Sequence, residues 1–334
     1  MGQLIKMQDY ISRYEQNIFH YPTQYVRLKK QQWSKLHQAY LDGTIQETFR
    51  LQNEVTKNEW LIEDEKVGVF GKLKKMFSRT EDEEKIEEID IEKKDGDEND
   101  LVDSEWNMVI PSSPKNLEEL KVSFLNQLLR FQMKWASSTI RERSYVDGRY
   151  IWDEKLKFFL QRFPDNFLLL YHPVFLIKNA PVEAEVILMS PTDAWCISFL
   201  EEEDDAVFHG LSNDKFWTKK HHLYQDKKLL SPLLSLNRME KIVSKIFSLY
   251  DVSFPVKKVV LSRNGYIDFP DAPYDLQILD KRGFPEWFEK MRNHSSPLKH
   301  QQLKGAEALL EYCQTTSVLR LEWEEERNDA NGIE

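Results

Sequence analysis

Apolar positions follow a helical period in the first half of the chain and a strand period in much of the second. Leu4, Ile11, Tyr14 and Ile18 share one helical face. Tyr25, Val26, Trp33, Leu36 and Tyr40 continue the pattern beyond Tyr21-Pro22, where the proline disfavours helix at the residue before it. Residues 3–41 are therefore expected to form two amphipathic helices, with a stop at Leu41-Asp42-Gly43. A further helical stretch over roughly 44–64 completes a helical hairpin or small bundle in residues 1–65. Ser112, Ser113 and Pro114 read as a helix start, serine as cap and proline in the first turn. That helix runs to about Ala136 on a face of Leu117, Leu120, Phe124, Leu128, Phe131 and Trp135, and residues 150–162 form the next.

From residue 164 the pattern is that of strands. Phe167–Tyr171, Ala184–Met189 and Ala194–Phe199 are short apolar runs separated by turn residues, and Ser190-Pro191-Thr192-Asp193 looks like a tight hairpin turn. Residues 202–228 read as irregular and polar. A helix is expected from Arg238 to Leu249, strands at Lys257–Leu261 and Asp275–Leu279, helices at Phe284–Met291 and Gln301–Cys313, and an edge strand at Val318–Leu321.

Charge changes the picture between the two halves. The formal charge is −10, but residues 81–105 hold 14 acids against 3 lysines, so the rest of the chain is near neutral. That stretch cannot bury enough apolar surface to offset ordering and reads as a disordered acidic linker over 80–105. Just before it, residues 66–79 form a basic amphipathic segment. Phe70, Leu73 and Phe77 lie on its apolar face and Lys72, Lys74 and Lys75 on its basic side, the pattern of a peripheral membrane or partner contact. The alternative is an ordinary short helix on its own bundle, weakened by Gly68 and Gly71 at roughly 1 kcal/mol each. No apolar run is long enough to span a bilayer, and the N-terminus has no secretory apolar core. The two cysteines, Cys196 and Cys313, have no metal-ligand spacing, which points to a reducing, cytoplasmic setting.

The order helix, three strands, helix, strand is the core plan of the PD-(D/E)xK nucleases. Residues 182–200, VEAEVILMSPTDAWCISFL, resemble the central hairpin of the nuclease-related domain (NERD) family, whose pattern is E-I-D, an apolar strand, G-P-N-G, a second apolar strand and E-V-K. Glu183 matches the first acid, and Glu185 stands where the family has aspartate. Pro191 matches the turn proline. Ser198 and Leu200 stand where the catalytic glutamate and lysine belong. Upstream, Glu154 fits the acidic position of the first core helix. Downstream, Trp217, Ser231-Pro232 and Val259-Val260-Leu261 resemble the family's tryptophan, its Asn-Pro region and its next strand. The resemblance covers about residues 150–265. It implies an α+β fold: a helical N-terminal region, the acidic linker, a helical connector at 106–149, a three-layer nuclease-like core with flanking helices at 150–325, and a tail at 326–334.

The departures decide the chemistry that the resemblance implies. Phosphodiester hydrolysis needs a hard cation held by carboxylates and a lysine to stabilise developing charge. Ser198 offers only a neutral hydroxyl and Leu200 neither function. Glu154, Glu183 and Glu185 are then vestigial, no metal or other cofactor is expected, and the chain is expected to bind nucleic acid or protein rather than cut. Two other readings stay open. An active Mg²⁺-dependent nuclease could recruit Glu201 or Glu203 by a register shift, with Lys178, Lys219 or Lys220 as the lysine, although a one-residue slip flips strand faces. A protein-interaction or membrane-surface adaptor could work through 66–79 and the N-terminal helical hairpin. Lys219, Lys220 and His221 form a basic run able to touch phosphates, or a solubilising loop opposite the acids at 201–205. The sequence has no GxSxG, P-loop or GxGxxG pattern, and the tryptophans lie mostly on apolar faces, as core residues do.

Overall fold

A computed structural model of the chain describes residues 1–45, 50–51, 109–110 and 114–320. In chain order its elements are β1 (Gln3–Met7), α1 (Tyr21–Leu41), β2 (Arg50–Leu51), β3 (Val109–Ile110), α2 (Leu117–Trp135), β4 (Glu142–Arg143), α3 (Glu154–Arg162), β5 (Leu168–Tyr171), β6 (Val174–Ile177), β7 (Ala180–Glu183), β8 (Val186–Met189) and β9 (Ala194–Phe199). They continue with β10 (Val207–His209), β11 (Phe216–Lys220), β12 (Lys227–Leu230), α4 (Pro232–Leu249), β13 (Val256–Leu261), β14 (Tyr266–Asp268), β15 (Leu276–Leu279), α5 (Phe284–Arg292), α6 (His300–Glu311) and β16 (Val318–Leu319). The class is α+β with a helical N-terminal region. The basic segment 66–79 (Phe70, Lys72, Leu73, Lys74, Lys75, Phe77), the acidic stretch 80–105 and the tail 326–334 lie outside the described residues. So does most of the helix expected at 44–64, but at Arg50–Leu51 the backbone is a strand.

The chain divides into two compact units, Met1–Arg27 with Leu128–Glu334, and Leu28–Gln127. In the smaller unit, α1 and α2 contribute buried Leu36, Ala39 and Leu120, and Trp33 meets Phe124 with ring centroids 5.1 Å apart. The start of α2 lies beyond Pro114. Asn116 provides the cap, its Oδ1 accepting from the Glu119 amide at 2.8 Å, so the expected Ser-Ser-Pro start is displaced by an Asx cap.

The larger unit is built on a six-stranded sheet in the order β1-β5-β8-β9-β13-β15. Strands β5, β8 and β9 form an antiparallel meander. Strand β13 returns parallel to β9 after α4, and β15 continues parallel to β13. The run Ala194–Phe199 is the expected strand, and the turn closes as expected, with the Ser190 amide on the Asp193 carbonyl at 2.9 Å. Alternation assigns the faces. Phe199 packs on Phe159 of α3 and Trp195 on Trp287 of α5, at 5.7 and 5.8 Å. The opposite face carries α4, with α6 beside it; Gly305 of α6 lets that helix close on Met189 and Phe247, where a Cβ would come within 3.2 Å of each. The result is three layers, helices–sheet–helices.

Three further local expectations fail. Gln3–Met7 is not helical. All five residues are buried and four of them, Gln3, Leu4, Lys6 and Met7, pair in parallel with β5 across an irregularity at Ile5, so a short apolar run with helical spacing around it is a strand covered on both faces. Residues 202–228 are not irregular; β10, β11 and β12 join β14 in a second sheet, ordered β12-β11-β10-β14. Helix α4 begins at Pro232, six residues before Arg238, because Ser231-Pro232 supplies a cap position and a first-turn proline. The hairpin of β6 and β7 turns through Lys178 and Asn179, both at positive φ (50° and 64°), the two-residue turn that matches strand twist.

Candidate functional site

The register of β8 on β9 pairs Val186 with Ile197, which sets Glu185 opposite Ser198. The Ser198 hydroxyl donates to Glu185 Oε1 at 2.9 Å. Ser235, in the first turn of α4, donates to the same oxygen at 2.5 Å. The Glu185 amide is directed at the Met239 sulfur at 3.2 Å. The carboxylate thus sits between two hydroxyls beside the N-terminal end of an 18-residue helix, where the helix dipole favours negative charge. Ser235 is absent from the sequence reading because that reading starts the helix after it; Pro232 was the signal that placed it in a first turn.

The other acids of the resemblance are elsewhere. Glu183 ends β7, exposed, with His172 Nδ1 3.4 Å from its carboxylate. Glu154 is exposed in the first turn of α3, on the sheet face opposite Ser198. Its neighbour Asp153 caps that helix, accepting from the Lys155 and Leu156 amides at 2.9 and 3.0 Å and from the Tyr171 hydroxyl at 2.7 Å. Burial, reinforced by Asp153, raises the Tyr171 hydroxyl far above its usual range, so it stays a donor. Leu200 is 7% exposed, and its amide donates to the Leu261 carbonyl at 2.9 Å. Among the described residues, no group of three or more His, Cys, Asp or Glu side chains comes together as a metal site. Cys196 is fully buried in β9, and burial, with Glu240 nearby, pushes its thiol up to about 12.

The acids that a register shift would recruit are already paired. Glu201 takes a two-pronged contact from Arg263, Nε at 2.5 Å and Nη2 at 2.8 Å. Glu203 pairs with Lys219 at 2.5 Å, and the lysine hydrogen bond holds its carboxyl below the usual range. The same contact raises Lys219. Asp205 is lowered in the same way by Lys281, 2.6 Å away. The basic run is therefore split. Lys219 is buried and held by carboxylates rather than presented to phosphate, His221 Nε2 lies 3.0 Å from the Asp204 carbonyl, and Lys220 alone of the three is exposed with no ion pair among the described residues. The sequence showed opposite charges near each other but not that Lys219 points inward; period-2 alternation along β11 does that.

No family model matches the chain, and no solved structure matches it. A curated RNA 2′,3′-cyclic phosphodiesterase of Geobacillus stearothermophilus is 54% identical over 35 residues. The match spans 10% of this chain and 11% of that protein. No helix among the described residues is long and apolar enough to cross a membrane.

Proposed function

We propose that the larger unit is a catalytically silent, nuclease-like module of the PD-(D/E)xK type that acts by binding. The order of α3, the β5-β8-β9 meander, α4 and parallel β13 supports the nuclease-like reading. The observation that carries silence is the state of Glu185. Two serine hydroxyls converge on one of its oxygens, and a buried leucine stands where a lysine would stabilise the transition state. A single carboxylate is a poor home for Mg²⁺, which takes several oxygen ligands in a near-octahedral set. The pairing of Glu201 with Arg263 and of Glu203 with Lys219 weighs against a rebuilt active site.

The membrane-surface or adaptor reading rests on residues 66–79, which lie outside the described residues, and on an N-terminal helical hairpin, in whose place Gln3–Met7 is a buried strand. Metal binding tests the proposal. Titration of the full chain with Mn²⁺, followed by the loss of free-ion paramagnetic resonance signal, is expected to give the same weak curve for the native chain and for Glu185→Ala. A stoichiometric site present in the native chain and lost in Glu185→Ala refutes it.

A further inference from the structure

The second sheet presents one face to solvent. Along β11, Trp217 and Lys219 point inward, so Phe216 and Lys220 point outward, and both are exposed. Register extends this face across the strands. His209 lies opposite Thr218 and beside Asp268; Tyr266 lies beside Val207, which is opposite Lys220; Lys228 lies opposite Thr218.

Two features of this face belong together. First, three rings step diagonally across neighbouring strands. Phe216 is two residues from the partner of His209, and Tyr266 is two residues from its other partner, so each step is about 7–8 Å, within reach of large side chains. Phe216 is 51% exposed, and Asp268 Oδ2, 2.8 Å from His209 Nδ1, orients the histidine ring. Second, the free positive charge of this sheet is on the same side. Lys220 and Lys228 have no carboxylate partner among the described residues; nor does Lys215, whose ammonium lies 5.8 Å from the Phe216 ring centroid. By contrast the other cations of this region are neutralised: buried Lys219 by Glu203, Lys227 by Glu202, and Lys281 and Arg282, which lie beside the Tyr266 ring, by Asp205 and Asp280. Asp268, also on this face, is held by His209. Unpaired cations flanking a row of rings suit a polyanion that also carries planar groups. A purely apolar partner would leave three lysines without counter-charge.

We propose that this face binds single-stranded nucleic acid, with phosphates on Lys220, Lys228 and Lys215 and bases stacked on Phe216, His209 and Tyr266. Base stacking on aromatic side chains along a positive track is the physical basis of sequence-tolerant single-strand recognition. A duplex keeps its base faces inside the stack and cannot use the rings. The inference rests on the reading that the chain works by binding, and the two can fail separately: Glu185→Ala leaves this interaction unchanged, and a metal site at Glu185 would overturn silence without touching this face.

The test is fluorescence anisotropy of the full chain with a labelled oligouridylate and with a duplex RNA of the same length, at several salt concentrations. The single strand is expected to bind at least about tenfold tighter than the duplex. Lys220→Glu with Lys228→Glu should weaken it about tenfold or more and make the log–log salt slope shallower by about 1.4, at 0.7 per phosphate contact. Phe216→Ala should cost about tenfold with the slope unchanged, and Phe216→Trp should retain binding. Four results overturn the proposal: no salt-sensitive binding by folded protein, equal or tighter duplex binding, indifference to charge reversal, or loss on charge reversal without loss in Phe216→Ala. The last would make the face a general polyanion surface.

Discussion

Trp217→Ala is expected to lower the free energy of unfolding of the larger unit by about 3–5 kcal/mol. Trp217 is fully buried on the inward side of β11, with its ring 4.8 Å from that of Phe269. Gly210, just past β10, sits against the indole so closely that a Cβ there would lie 2.3 Å from the ring. The tryptophan therefore fills the space that glycine leaves, and its removal opens a cavity that the short strands of the second sheet are poorly placed to close. Gly210→Ala should itself destabilise, by about 1–3 kcal/mol, through overpacking. The double variant separates this account from a general weakness of the region. Removing the indole removes the clash, so Gly210→Ala should cost little in the Trp217→Ala background, and the two effects should fall short of their sum. Denaturant unfolding of the four proteins measures this; strict additivity would mean that the two residues do not pack as described.

Lys6→Ala has the second large effect, a loss of about 3 kcal/mol or more. Lys6 has no exposed side-chain surface, although it is charged and lies in an edge strand. Its ammonium donates to the Tyr10 carbonyl at 2.7 Å and to Thr315 Oγ1 at 3.0 Å, and is paired with Glu15. Truncation strands a partly buried carboxylate and leaves a carbonyl without its donor, and both penalties are larger than the net worth of the pair itself. Lys6→Met with Glu15→Met should recover part of the loss, because it removes both charges and keeps the stem packing. Val122→Ala, at an exposed position of α2, serves as the control and should change stability by less than about 0.5 kcal/mol. If Lys6→Ala behaves like that control, residues 3–7 are not a buried strand.

These two sites also show where sequence reasoning reached its limit. Runs with one dominant period were legible: the strand Ala194–Phe199, its turn at Ser190–Asp193, and the helices that became α3, α5 and α6. Gln3–Met7 was not, because five residues are too few to separate a strand from a helical turn, and Leu4 happens to be in helical register with Ile11 and Tyr14. The second sheet was hidden for another reason. Its strands are three to five residues long, one face is solvated, and a buried lysine, Lys219, occupies an inward position where the pattern calls for an apolar side chain. Its neutralising partner, Glu203, lies 16 residues away, and only the pairing of β10 with β11 reveals it.

At the candidate site the same limit applies in three dimensions. The resemblance pointed to Glu185, Ser198 and Leu200 as the positions to compare, but it could not give their surroundings. That Glu185 is instead gripped by Ser198 and Ser235 depends on a helix start, and that Glu154 lies across the sheet depends on face assignment. Neither is local information. The candidate lysines also sort only in the fold: Lys178 at a hairpin tip, Lys219 inside, Lys220 outside.

The most direct test of silence at Glu185 is a cleavage assay on the full chain. The substrates are single- and double-stranded DNA and RNA, with an RNA ending in a 2′,3′-cyclic phosphate, each with Mg²⁺ or Mn²⁺ and with EDTA, beside Glu185→Ala. The predicted result is intact substrate in every lane, with the protein folded by circular dichroism and the Glu185→Ala lanes identical. Metal-dependent cutting or ring opening that EDTA stops and Glu185→Ala removes would contradict the account and make the serine-bound carboxylate a working ligand.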